Sequence, residues 1–423
     1  MSEELESVRG DVPGRRSREL ANDLRRYESR GVTYVAHDFP IFWETAHDAL
    51  VTDVDGNRFI DLTSAFGVAT LGHTNPEVAQ AIAAQSKRLI HGLGDVHPSR
   101  LRVELLQKLA TLAPGDLEKS FLCSSGSEAV DFALKTAYLH AKRAGIVAFT
   151  GSYHGLASSA LSVTGMERFR EPFAPFVRDG VTFAPFGDTD AVEHALREGA
   201  GTVIVEPIQG RAGVIVPPPG WLANLRMLCD EHRAVLIFDE IYTGFGRTGA
   251  MFACEHEGVV PDLLCVGKAI AGGVPLAATI GKPNIMDAWE ESRGEALHTS
   301  TYLGNPLACA AALANLTAIE RGNIPAKAAG MGAKLGARLQ PFRNERAVVD
   351  VRGKGMLWAI ELENDAQSVA VTKEALRRGT IVLPSGVAGN CLTIAPPVTI
   401  GEGQLMRAVD LLEQAMQQVG VNT

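Results

Sequence analysis

Residues 235–280 read VLIFDEIYTGFGRTGAMFACEHEGVVPDLLCVGKAIAGGVPLAATI, and three short apolar runs within them, 235–239, 263–266 and 277–280, carry the reading of the fold. Each is too short for a helix of ordinary length and is bounded by glycine, proline or charge, the marks of a buried strand. The same kind of run recurs upstream at 120–123, 146–149, 181–184 and 202–206, with helical segments between. Strands that alternate with helices predict an α/β fold: a largely parallel sheet covered on both faces.

Outside this region the pattern changes. Residues 49–62 alternate around Asp55-Gly56, the dipeptide of a tight hairpin, after a charged helical start near 17–29. Beyond Pro306 a long Ala-rich helix is followed by strand-like stretches at 355–362, 380–383 and 391–394 and by a final amphipathic helix from about Glu402. The expected division is an N-terminal segment 1–74, a large domain 75–310 and a C-terminal segment 311–423. The two ends are expected to pack as one small α+β domain.

Composition narrows the class. The chain has 423 residues, 46% hydrophobic and 21% charged, with a formal net charge of -9. It has no excess of Lys and Arg to neutralise a phosphate backbone, so nucleic acid is not an expected partner. The first twenty residues mix acids with four arginines and contain no apolar core of a secretory signal, and nowhere do eighteen apolar residues run together. Six scattered cysteines form no C-x-x-C pair. Reduced thiols in a cytoplasmic protein, away from the membrane, are the expectation.

Lys268 is the only base in 260–280. Burial of its ammonium is costly, so a lysine just past a buried strand has either a snorkelling stem or a task; desolvated, it becomes a nucleophilic amine suited to Schiff-base chemistry. Asp239 ends an apolar strand, where α/β sheets place ligand groups, and such an anion is what a pyridine nitrogen needs to stay protonated. Asp239-Glu240 also resembles the metal-binding acid of a P-loop ATPase, but the chain holds no G-x-x-x-x-G-K-[ST]. Gly244 to Gly249 matches G-x-G-x-x-G, yet no helical pattern opens at Gly249 and Arg247 would sit inside the turn, which favours a structural loop over a dinucleotide site.

Ser124-Ser-Gly-Ser-Glu-Ala129 follows a strand and opens a helix. Ser125 and Glu128 form a capping box, Gly126 permits close approach and Ser127 offers a hydroxyl, so this is either a plain N-cap or a phosphate cradle. Tyr153, in Tyr153-His154-Gly155, is either a core aromatic or one that stacks on a flat ring. Glu206 ends another apolar run, and two acids at one sheet edge suggest a site.

In order, SSGSEA at 124–129, YHG at 153–155, EPIQG at 206–210, DEIYTGFGRTG at 239–249, GKAIAGGVP at 267–275 and TSTYLGNPLA at 299–308 resemble the class III aminotransferases. The resemblance covers nearly the whole chain. It implies a fold type I homodimer with a mainly parallel seven-stranded sheet and pyridoxal 5'-phosphate (PLP) as cofactor. Lys268 would carry PLP as a Schiff base and shuttle protons, with Asp239 on the pyridine nitrogen. Ser125, Gly126 and Ser127 would grip the phosphate, Tyr153 and Ile241 would cover the two ring faces, and Thr301 would reach the phosphate of the partner's site. The activity implied is transfer of an amino group from an amine donor to a 2-oxo acid by a ping-pong mechanism.

The departures concern the substrate. Relatives acting on ornithine, 4-aminobutyrate or acetylornithine typically carry an arginine after Y-H-G and another before A-P-P; here those places hold Leu156 and Thr393. Tyr242 replaces the usual glutamine and could still contact the cofactor's phenolic oxygen. With both carboxylate clamps replaced, Phe66, Leu156, Glu206 and Thr393 are the expected pocket residues, and Arg211 is the candidate to restore a clamp from another direction. A racemase, epimerase or aminomutase on the same scaffold shares the first steps. An NAD-dependent dehydrogenase would rest on Gly244 to Gly249 alone.

Overall fold

The computed structural model describes residues 4–421. Its strands, in chain order, are β1 (Trp43–His47), β2 (Leu50–Asp53), β3 (Arg58–Asp61), β4 (Lys119–Cys123), β5 (Gly145–Phe149), β6 (Val181–Ala184) and β7 (Ala200–Val205). They continue with β8 (Val235–Asp239), β9 (Leu263–Val266), β10 (Ala277–Gly281), β11 (Val348–Lys354), β12 (Leu357–Leu362), β13 (Thr380–Ile381), β14 (Leu383–Ser385) and β15 (Cys391–Ile394). The chain divides into two compact units, one running from Pro76 to Ala328 and one formed by the chain up to Asn75 with the chain from Ala329 on.

The first of these units holds the seven-stranded sheet, ordered β4-β10-β9-β8-β7-β5-β6. β9, β8, β7, β5 and β6 run parallel, and β10 alone is antiparallel to its neighbours β4 and β9. Every residue of the central strands β7, β8 and β9 is buried, whereas the edge strands β4 and β6 are partly exposed, which is why the central runs read as unbroken apolar sequence. The helix Gly126–Ala141 lays Ala129, Val130, Phe132, Ala133 and Ala137 into a core with Ile204, Ile237, Leu263 and Cys265. Full burial of each large apolar side chain there contributes about 1.5–3 kcal/mol.

The second unit carries two four-stranded sheets, β1-β2-β3-β13 and β11-β12-β15-β14. The chain ends meet in the first, where Thr380 and Ile381 of β13 pair in parallel with Ile60 and Asp61 of β3. The expected hairpin is β2–β3; its turn is closed by Asp53 Oδ1, which accepts from the amides of Asp55 and Asn57, and Gly56 takes a left-handed φ of 85°.

Four expectations shift. The unit boundary falls between Ala328 and Ala329, not at 310/311, because the helix Pro306–Arg321 packs on the helices Pro76–Ser86 and Arg100–Leu112 of the large unit. The Ala-rich segment is two helices, Pro306–Arg321 and Ile324–Leu339, broken at Gly322-Asn323, where Asn323 has φ 46°. The run 380–383 is divided at Val382 between two sheets. Strand β7 stops at Val205, leaving Glu206 just beyond it. Among the described residues no helix is long and apolar enough to cross a membrane, and all six cysteines are free and buried.

Candidate active site

Parallel strands bring their C-terminal ends to one edge, the usual place for a site in an open α/β sheet. There β8 ends in Asp239, β7 is followed by Glu206, β9 by Gly267-Lys268, β5 by the turn into Tyr153-His154, and β4 by the helix Gly126–Ala141. All belong to the large unit.

Asp239 is buried and held by two donors. Its Oδ1 accepts from the amide of Ile241 at 3.1 Å, and its Oδ2 lies 2.7 Å from Nδ1 of His154, whose side chain is wholly inaccessible. His154 was not singled out by sequence reasoning, which read Y-H-G for its tyrosine. The one signal available was its place next to a ring-stacking candidate; its partner lies 85 positions away. His154 Nε2 is buried without a hydrogen-bond partner.

Glu206 is buried, with Oε1 accepting from the amide of Tyr153 (2.8 Å) and Oε2 from that of Gly210 (3.1 Å). It thus ties the Y-H-G loop to its own. Burial, reinforced by the charge of Asp239, pushes its carboxyl up to about 7, against the opposing pull of His154 and the two amides.

Lys268 opens a single turn of tight helix with φ 35°, a strained value for a residue with a side chain. Its Nζ stands 4.5 Å from the centroid of the Tyr242 ring. Desolvation drags the ammonium below the ordinary lysine range; Asp239 and Glu206 oppose this, and Arg211 adds to it. Tyr242 reaches this position because Gly210 has no side chain: a Cβ there would fall 2.2 Å from the ring.

The helix start is shaped the same way. Ser125 caps it by accepting from the amide of Glu128, whose carboxylate accepts in turn from the amide of Ser124. No helical carbonyl reaches the amides of Gly126 and Ser127 in the first turn. A Cβ on Gly126 would lie 2.7 Å from Ile241 Cδ1, and one on Gly155 2.1 Å from Ser127 Oγ, so both glycines mark close approaches of chain to chain. Tyr153 meets Phe169 edge-on at 5.6 Å, and the guanidinium of Arg211 lies over both rings, 4.9 and 5.1 Å from their centroids.

These groups fit PLP: open amides at a helix N-terminus for a phosphate, a buried carboxylate for a ring nitrogen, and a desolvated amine for an aldehyde. Leu156 is 51% exposed. Thr301 sits on an exposed turn. Phe66 and Thr393 belong to the other unit. Phe66 lies in a left-handed turn in which Ser64, Ala65 and Phe66 all have φ between 49° and 62°. Thr393 is buried in β15, its Oγ1 bonded to Ser385 Oγ at 2.5 Å.

A sheet edge of this kind defines a PLP-dependent transferase of fold type I. The model of the class-III aminotransferases matches residues 33–416, and the chain belongs to that family. An acetylornithine aminotransferase of Methanopyrus kandleri is 41% identical over 382 residues, covering 90% of this chain and 96% of that protein. Among solved structures, the ornithine aminotransferase of Toxoplasma gondii superposes with a TM-score of 0.88 at 28% identity, covering 95% of each chain. A PLP-bound amine transaminase from an uncultivated Pseudomonas species gives 0.85 at 31% identity, covering 93% of this chain and 98% of that one.

Proposed function

We propose that this aminotransferase moves an amino group from a primary amine or ω-amino compound to a 2-oxo acid, pyruvate or 2-oxoglutarate, by a ping-pong mechanism in the cytoplasm. The observation that carries the reading is the pairing, at adjacent strand ends, of a desolvated lysine with a carboxylate held by two donors. Bound there, PLP supplies an aldehyde for the incoming amine and a ring that withdraws electrons from the substrate carbon.

The chain's own groups do the rest. Lowered basicity leaves more of the Lys268 amine neutral near neutral pH, as both nucleophile and base require, and its Nζ carries the proton away from the substrate carbon. Asp239, oriented by His154 and Ile241, keeps the ring nitrogen protonated. The amides of Gly126 and Ser127, with Ser125, hold the phosphate, while Tyr153 and Ile241 cover the ring faces.

Substrate choice follows from Leu156 and Thr393. Each bidentate arginine clamp contributes on the order of 1.5–3 kcal/mol, so replacing two of them weakens selection for a distal carboxylate on the donor. Leu156 is exposed and apolar and offers no charge to a distal carboxylate. Pyruvate is then accepted at least as readily as 2-oxoglutarate.

The enzyme acts as a homodimer in which Thr301 reaches the partner's phosphate. Beside Thr301, Leu297 and Tyr302 are 77% and 63% exposed, and the neighbouring segment offers Ile90, Leu93 and Val96 at 58% to 63%. The two segments are joined by Asn305 Nδ2 donating to the carbonyl of Ile90 and by contact of His91 with Tyr302. Apolar exposure on this scale is what a partner surface covers.

The deciding measurement is kcat/KM for matched donors with and without a distal carboxylate, against both oxo acids. A preference above about 100-fold for the carboxylated donor and for 2-oxoglutarate would overturn the pocket reading. Turnover of an amine with no oxo acid present would instead identify an isomerase.

A further inference from the structure

Arg211 has features that the proposed chemistry leaves unused. It follows directly on Gly210, whose amide is held by Glu206, yet its side chain pairs with no carboxylate among the described residues. Its guanidinium lies instead on the rings of Tyr153 and Phe169, and its Nε is buried without a hydrogen-bond partner. A second guanidinium, that of Arg168, lies 5.0 Å from the centroid of the same Phe169 ring.

The aromatic faces fix the plane of the Arg211 guanidinium without accepting its in-plane N–H bonds, and its buried Nε has no acceptor among the described residues. A planar fork immobilised in this way is built for a carboxylate, which takes two parallel N–H bonds from it. The fork is also in the right neighbourhood: Tyr153 is the residue read as stacking on PLP, and the positive charge of Arg211 is felt at the amine of Lys268.

We infer that Arg211 forms the carboxylate subsite of this enzyme and binds the 2-oxo acid acceptor together with the amino acid made from it. The inference rests on the aminotransferase reading of the same site and adds to it the residue that tells the two substrates apart. A simple amine would use the apolar side of the pocket and leave the fork to solvent. The oxo acid, which always carries a carboxylate, would engage it. The fork comes from the loop after β7 and not from the places held by Leu156 and Thr393.

The test uses PLP-loaded protein, with which an oxo acid does not react, so pyruvate is a dead-end ligand and its Kd can be measured by calorimetry. Arg211→Met is expected to weaken that Kd by about 10 to 150-fold, the range of a charge-assisted bidentate contact. Arg211→Lys, which keeps the charge but loses the fork, is expected to fall between variant and parent. In separate half-reactions, the loss in kcat/KM for pyruvate should exceed that for isopropylamine by at least about tenfold. A pyruvate Kd within about threefold of the parent in Arg211→Met, at full PLP occupancy, would overturn the inference. Should Arg211→Met fail to fold, an unchanged Kd in Arg211→Lys would do the same. Failure of the parent to form alanine from pyruvate and an amine would count against the activity reading; the Kd comparison needs no turnover and still decides the role of Arg211.

Discussion

His154 and Asp239, 85 positions apart in the chain, meet in the interior with Nδ1 2.7 Å from Oδ2. The amide of Ile241 takes Oδ1, so the carboxylate is held from both sides. Removing the imidazole leaves a buried oxygen with one partner fewer, which costs about 1–3 kcal/mol where no water replaces it. His154→Ala is therefore expected to lower kcat by roughly 10 to 100-fold and to alter the absorbance band of bound PLP. His154→Asn, which can place an N–H near Nδ1, should recover part of both. Equal losses in the two variants, with the PLP band of the parent, would make His154 a packing residue only.

Lys268→Ala is expected to bind PLP through the phosphate and ring contacts while turnover drops by several orders of magnitude, because nucleophile and proton carrier vanish together. Removing a depressed, desolvated ammonium also removes a burial cost, so thermal stability of the cofactor-free variant should equal or exceed that of the parent. Activity near the parent's would refute the role of Lys268.

The pH dependence of stability should carry the mark of Glu206. Its carboxyl ionises near 4.5 in the unfolded chain and near 7 in the folded one. Between those values the folded state binds the extra proton, so stability falls as pH rises through this window. The full loss is on the order of 3 kcal/mol above pH 7. Denaturant titrations at pH 5 and pH 8 should show the parent losing about that much more than Glu206→Gln. An equal pH dependence in the two proteins would mean that water reaches this carboxylate.

The sheet was legible because each of its strands is a local signal: central strands buried on both faces need unbroken apolar runs, and a turn or helix start brackets each one. Lys268 and Asp239 stand out as candidates for the same reason, as charges at or just beyond the ends of such runs. The contact of His154 with Asp239 was not, since it exists only once β5, β7 and β8 lie side by side in that order. Nor was the placement of Arg211 on two rings, which depends on Phe169 returning to the edge from a short helix after the Y-H-G loop. The division of 380–383 at Val382 is not readable from sequence, because two consecutive short strands carry the same residue pattern as one long one.

The last prediction concerns the dimer. Thr301 lies on an exposed turn whose neighbours Leu297 and Tyr302 are open to solvent in the single chain. If its hydroxyl completes the phosphate grip of the partner's site, each site draws residues from two chains. Thr301→Ala and Lys268→Ala would then damage different halves of a site, and a dimer of one chain of each kind would contain one site with both residues intact. Mixing the two inactive variants under conditions of subunit exchange should restore activity, up to about half that of the parent per mixed dimer. Subunit exchange must be followed separately, for example by mass-tagged chains. Verified exchange without recovery, given a severe loss in Thr301→Ala alone, would place the threonine in the site of its own chain. A sedimentation experiment giving active monomers would remove the premise altogether.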